Sequence, residues 1–198
     1  HRGIDRKVIS DCIRAGILYE SARFHNAVFV GQDENGVPKY AFLRGTLTNT
    51  AESFRAEVAG SDKRYCFCLQ PEGESRRVAV YEAAIEVLAH LSLEQTRDKY
   101  RLSLGGIYAP KEGFNASSFK KPAALTAFLE QNPNVCEIEI CTNNDYAGRW
   151  AADHIRKEYE GKYQIIMNLP EREGADYGDL AQEKSKERAV RQRAALSR

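Results

Sequence analysis

The chain has 198 residues, 42% hydrophobic and 29% charged, with a net charge of +1. This is the make-up of an ordinary globular chain, large enough for one domain or two small ones. No apolar run approaches the ~20 residues that a membrane-spanning helix needs, and no secretory leader opens the chain, so an intracellular, cytoplasmic setting is expected.

The five cysteines, Cys12, Cys66, Cys68, Cys136 and Cys141, form no CxxC pair and no zinc spacing with histidine, which argues for free thiols. Cys66 and Cys68 share one face of a strand-like segment and read as core packing. Because His1 stands where an initiator methionine would, a longer parent with further domains is expected. Charge is unevenly spread: residues 73–180 carry −4 and 181–198 carry +4. An acidic middle suits a metal-binding carboxylate cluster better than a polyanion-binding surface.

Residues 4–18 predict an amphipathic helix, with Ile4, Val8, Ile9, Cys12, Ile13 and Ile17 on one face and Gly16 as a stop. A meander follows. Ala27 to Gly31 and Lys39 to Arg44 are strands joined by a hairpin turn from Asp33 to Pro38. Phe54 to Val58 and Tyr65 to Leu69 predict two more strands, and Gln70-Pro-Glu-Gly-Glu-Ser marks a boundary. The expected division is a small α+β domain over 1–72, an α/β domain over 73–182, and a basic terminal helix or linker over 183–198.

Beyond the boundary, strand and helix alternate. Strands are expected at 77–81, 100–104, 135–141 and 163–168, and helices at 83–93, 122–130 and 146–160. Short apolar strands alternating with helices imply a parallel, doubly wound sheet whose ligand crevice lies at the carboxyl ends of the strands. Acidic residues fall at those ends: Glu82 after the first strand, Asp145 after the third, Asp176 after the fourth. Converging hard oxygens imply Mg²⁺ or Mn²⁺, with a nucleotide or phosphodiester as substrate. Glu86 lies one turn beyond Glu82, and a pairing of Glu86 with His90 is the structural alternative to a metal role. Asp179 is either an outer ligand or a helix N-cap. Gly174 fits a loop passing close to the site.

The glutamate in Val80-Tyr-Glu-Ala-Ala-Ile-Glu, the turn Asn143-Asn-Asp-Tyr-Ala-Gly and the later Gly174-Ala-Asp-Tyr-Gly-Asp-Leu together resemble the Toprim domain of bacterial primases, topoisomerases and related nucleases. Residues 1–70 resemble the uncharacterised domain that often precedes Toprim in proteins of bacterial mobile elements, through Arg2-Gly-Ile-Asp, Gly16-Ile-Leu-Tyr-Glu, Phe29-Val-Gly-Gln-Asp-Glu-Asn-Gly, Arg44-Gly-Thr and Gly60-Ser-Asp-Lys. The resemblance implies a Rossmannoid parallel sheet flanked by helices, Mg²⁺-dependent phosphoryl transfer on DNA or RNA in replication or transfer, and nucleotides as partners. It makes Glu82 the acid/base or metal-contacting glutamate, and Glu86, Asp145 and Asp176 further metal-proximal acids. Gly105 and Gly106 match a turn where backbone approaches phosphate. The chain departs from the pattern at Asn143, which stands where the first acid of the DxD pair is expected and offers an oxygen without charge. Ala175 stands where a lysine is expected.

Arg44, Lys63 and Arg64 are candidates for nucleic-acid contact, and the basic tail is either a solvated helix or a further contact. Two other readings stay open: a noncatalytic nucleic-acid-binding module that has lost full metal binding, and a Toprim-type nuclease. A doubly wound nucleotide-binding or phosphoacceptor domain, which also uses aspartates at strand ends, is disfavoured, since neither GxGxxG nor a P-loop occurs.

Overall fold

The computed structural model describes residues 2–46, 54–113 and 119–196; the ends of the expected tail, 197–198, and His1 lie outside them. Helix α1 (Arg6–Arg14) starts where the Asp5 carboxylate accepts a hydrogen bond from the Lys7 amide at 2.8 Å, and stops before Gly16, whose φ is +71°. It is shorter than the pattern implied. Ile13, expected on the apolar face, is 54% exposed.

Strands β1 (Leu18–Glu20), β2 (Ala27–Gln32), β3 (Pro38–Arg44) and β4 (Arg55–Glu57) follow in an antiparallel sheet of that order. The β2–β3 turn is held by Asp33, which accepts from the amides of Asn35 and Val37, with Gly36 in the left-handed region.

The predicted strand over 65–69 needs correction. Lys63–Tyr65 is a 3-10 turn capped by Asp62, and only Cys68 and Leu69 form a strand, β5, which pairs with the second sheet. Burial explains this. Phe67 is fully buried, meeting Phe29 edge-on at 5.4 Å, while Cys66 faces the opposite core with Tyr40. The chain crosses closely over β2 at Gly31, where any Cβ would lie 1.6 Å from the Tyr65 carbonyl oxygen. All five cysteines are free thiols.

The second sheet contains β6 (Arg77–Tyr81), β7 (Tyr100–Ser103), β8 (Glu137–Ile140) and β9 (Gln164–Met167) in the order β5-β7-β6-β8-β9, parallel except for β5. Helix α2 (Ala84–Glu94) and helix α5 (Tyr177–Leu196) join α1 in packing against one face; α3 (Ala123–Gln131) and α4 (Tyr146–Tyr159) cover the other. The chain leaves β6 for β7 on one side and returns to β8 on the other, so β6 and β8 flank the topological switch point. The basic tail is the exposed continuation of α5, whose first turns are anchored by buried Tyr177 and Ala181.

Helix α2 lies over a buried polar network rather than a wholly apolar floor. Arg101, 1% exposed, donates to the Tyr81 hydroxyl at 2.8 Å, to Glu94 and to the Thr96 carbonyl. His90 meets Tyr81 through Nδ1 at 2.9 Å, stacks on Tyr177 at 3.8 Å, and is held down to about 4 by burial. It therefore does not pair with Glu86, and that structural alternative is set aside. Lys99 bridges Glu139 at 2.5 Å and Glu94 at 3.1 Å, while Glu139 also accepts from Asn168. Removing one partner of a buried pair leaves the other charge stranded. Lys99→Met should lower the unfolding free energy by about 3 kcal/mol in urea titrations, and adding Glu139→Gln should recover most of that loss.

Candidate active site

Glu82 leaves the end of β6 and reaches the end of β8, where its Oε1 accepts from the Asn143 amide at 2.9 Å. This approach needs Gly148 in the first turn of α4. A Cβ there would lie 2.8 Å from Glu82 Oε1 and 2.0 Å from the Asn143 carbonyl oxygen. Glu86 sits in the first turn of α2 with Oε2 accepting from the Ala83 amide at 3.1 Å, the backward half of a capping box. It is 5% exposed.

Both carboxyls are pushed up, Glu82 to about 7 and Glu86 to about 8. Burial is the main cause in each. The charges of Asp145 and Asp176 add to it at Glu82, and those of Glu82 and Asp176 at Glu86; the amide of Asn143 opposes it at Glu82, and the amide of Ala83 with Arg44 at Glu86.

Asp176 caps α5: its Oδ1 accepts from the Asp179 amide at 2.8 Å, and Asp179 Oδ2 accepts from the Asp176 amide at 3.3 Å. The N-cap is thus Asp176, with Asp179 as its reciprocal partner three residues on. Asp145 caps α4 through the Gly148 amide at 2.7 Å. Gly174 takes a φ of +76°, but a Cβ there would meet nothing within 4 Å, so it serves the turn and not a close approach to the site.

The structure brings Glu82, Glu86, Asn143, Asp176 and Asp179 onto one cavity of about 280 Å³, with Gly105 and Gly106 in its wall. Asp145 stands outside that lining, on the exposed rim. Gly105 and Gly106 both have positive φ, at +68° and +98°. A Cβ on Gly105 would lie 2.7 Å from Cys66 Sγ, and the Gly106 amide donates to the Glu82 carbonyl at 2.8 Å. The glycine turn is thereby fastened to the backbone that carries Glu82.

Arg44, Arg2 and Arg55 line the same cavity as the acids. Arg44 and Arg55 are register partners on β3 and β4, a like-charge pairing that costs stability unless an anion answers it. Burial, then Arg2 and Arg55, hold the Arg44 guanidinium below its ordinary value, and its buried Nε has no hydrogen-bond partner. Among the described residues no ion pair joins the three arginines to any carboxylate. Lys63 lies beside the site, donating to the Gly105 carbonyl at 3.0 Å and pairing with Glu57 at 3.3 Å. Arg64 is not brought to the cavity; its guanidinium is held by Asp62 at 2.6 Å. Sequence reasoning did not single out Arg2 or Arg55. Arg2 lay inside a recognised motif, whereas only the β3–β4 register reveals Arg55.

Each site carboxylate has one oxygen bonded to a backbone amide, and Asn143 Oδ1 is buried without a partner. Among the described residues no three His, Cys, Asp or Glu side chains gather closely enough to cage a metal. This donor set fits magnesium, which takes one or two protein carboxylates and leaves its other positions to water and phosphate. Glu82, Asp176 and the Asn143 carbonyl oxygen are the residues that would hold it.

Residues 1–73 match the family model described as "Protein of unknown function (DUF3991)". The fold matches solved primase structures. The primase fragment of the bacteriophage T7 primase-helicase protein aligns at 17% identity, covering 96% of this chain and 70% of that one, with a TM-score of 0.61. The Aquifex aeolicus primase, with its zinc-binding and RNA polymerase domains, aligns at 15% identity and a TM-score of 0.54 over 96% of this chain; this chain spans 52% of its length. A DnaG primase catalytic domain bound to single-stranded DNA aligns at 17% identity and a TM-score of 0.54, over 96% of this chain and 69% of that one. The comparison with curated proteins yields no match. The chain therefore has the α/β fold of primase catalytic cores, with helices flanking a largely parallel sheet. No helix among the described residues is long and apolar enough to cross a membrane.

Glu82 and Glu86 bind protons more tightly in the folded chain than in the unfolded one. Their contribution to stability is full below the ordinary glutamate range and is lost as pH rises through about 7 and about 8. Urea midpoints measured without divalent ions should fall between about pH 5 and pH 8.5, and Glu86→Gln should flatten that fall.

Proposed function

We propose that this chain is the catalytic unit of a primase-like protein of a bacterial mobile element, joining nucleotides on a nucleic-acid template with Mg²⁺. On this reading residues 73–182 form the Toprim-type unit, 1–72 the small α+β unit before it, and 183–198 a basic extension toward further domains. Cys68 and Leu69 lend a strand from the first unit to the sheet of the second.

The observation that carries the proposal is that acids and arginines line one cavity with no ion pair between them among the described residues. Acids attract a divalent cation, and arginines hold phosphate oxygens in a fork geometry that ammonium groups lack. A nucleoside triphosphate with its metal carries both complements. When bound, the magnesium supplies positive charge beside the transferring phosphoryl group. Glu82, near neutrality in its protonation and with Oε2 uncommitted, takes the proton of the attacking hydroxyl. Arg44, Arg2 and Arg55 orient the phosphates, and the Gly105–Gly106 turn lets backbone approach them. The fold shared with a primase domain bound to single-stranded DNA supports a nucleic-acid template.

A second reading, a noncatalytic binding module, draws on Asn143 and on the lack of a three-acid cage among the described residues. Primer synthesis on a single-stranded template with ribonucleotides and Mg²⁺ separates the two. Wild type should extend, and Glu82→Gln should lose about 10²-fold or more, while Arg44→Ala should act mainly on nucleotide KM. Absence of synthesis by wild type, with Mg²⁺ and nucleotide binding intact in calorimetry, would favour the binding module. Asn143→Asp should tighten Mg²⁺ about tenfold in the same calorimetric titration, because a charged oxygen replaces a neutral one. It should also destabilise the metal-free protein, because that charge is placed beside Glu82.

A further inference from the structure

The Gly105–Gly106 turn has a second side. Both glycines also line a separate cavity of about 570 Å³, between the loop after β7 and the start of helices α3 and α4. Its lining combines Tyr108, Phe119 and Trp150 with Lys63, Lys120 and Lys121. Neither the acids nor the arginines of the candidate active site reach it.

The rings are arranged as an open shelf. His154 stacks on Trp150 at 3.8 Å and Phe119 tilts against both, which fixes the indole in place. Tyr108 meets Trp150 edge-on, with centroids 6.3 Å apart and planes at 88°, and is 65% exposed. At that exposure the tyrosine ring is mostly open to solvent. A hydrophobic cap over α4 would bury that ring; this one presents it. Of the lysines, Lys63 and Lys121 are about half exposed and pair with Glu57 and Glu158, and Lys120 is exposed with no ion pair among the described residues.

Exposed aromatic faces among lysines are what a single strand of nucleic acid requires: stacking surfaces for its bases and cations along its backbone. A duplex keeps its bases inside and would use only the lysines. We infer that this shelf binds single-stranded DNA or RNA, stacking a base on Tyr108 and leading the strand past the glycine turn to the acidic cavity. The inference rests on the nucleic-acid reading above, and its test is independent of catalysis.

Trp150 is the only tryptophan of the chain, so its emission reports on the shelf alone. An oligothymidylate of about ten nucleotides, within the usual site size of such surfaces, should quench Trp150, whereas an abasic strand of the same length should bind weakly and leave emission unchanged. Tyr108→Ala, at an exposed position, should weaken oligothymidylate about tenfold and leave the abasic strand unaffected. Lys120→Ala should lower the salt slope of binding by about 0.7. Equal responses to the two strands, or unchanged affinity in Tyr108→Ala, would overturn the inference. Primer synthesis with Trp150 silent would sink this proposal and spare the preceding one. Quenching with no primer synthesis would do the reverse.

Discussion

The bond from the Asn143 amide to Glu82 Oε1 ties together the ends of β6 and β8, the two strands that flank the switch point. An ionisable side chain spans a gap that elsewhere in the sheet is crossed by backbone pairing. Its length is set by Gly148, since any larger residue would push the Asn143 turn away. With that distance fixed, the Asn143 side chain, the start of α4 and the Glu82 carboxylate become one rigid corner. The Gly105–Gly106 turn joins that corner through the Glu82 carbonyl.

The corner gathers acidic and basic side chains around one cavity. Four acids, Glu82, Glu86, Asp176 and Asp179, share its lining with three arginines from the first sheet and the N-terminal segment. Elsewhere the chain pairs buried charge carefully, as Arg101 with Glu94 and Lys99 with Glu139 show. At the cavity burial instead raises the pKa of Glu82 and Glu86, and a cation beside them would offset that cost. The two sets of charges are thus kept apart: one network holds α2 on the sheet, and the other lines the cavity at its edge.

Much of this was legible in the residues. The alternation of short apolar strands with helices over 77–168 implied the parallel sheet, and the carboxyl-end rule placed Glu82 and Asp176 at a common rim. The segment 65–69 misled because its alternation is real while its partner is in the other sheet: Cys66 and Phe67 do face opposite cores, but only two residues pair. His90 misled because helical spacing to Glu86 ignores what lies beneath α2, where Tyr81 and Tyr177 claim the ring. The role of Asp176 as a cap was hidden because helix α5 begins earlier than its basic stretch. Arg55 could not be found from sequence spacing at all, since its position depends on a cross-strand register.

The packing beneath Gly105 has a consequence for how such a chain can be divided. Tyr40 from the antiparallel sheet and Cys66 from the crossing segment lie directly under the glycine whose turn borders both cavities. A truncated acidic half would lose the floor of its own turn and uncover the apolar side of the sheet that Phe67 fills. The small leading sheet is therefore a foundation stone of the cavity's edge, and cutting the chain between its two halves would unseat the turn that both cavities share.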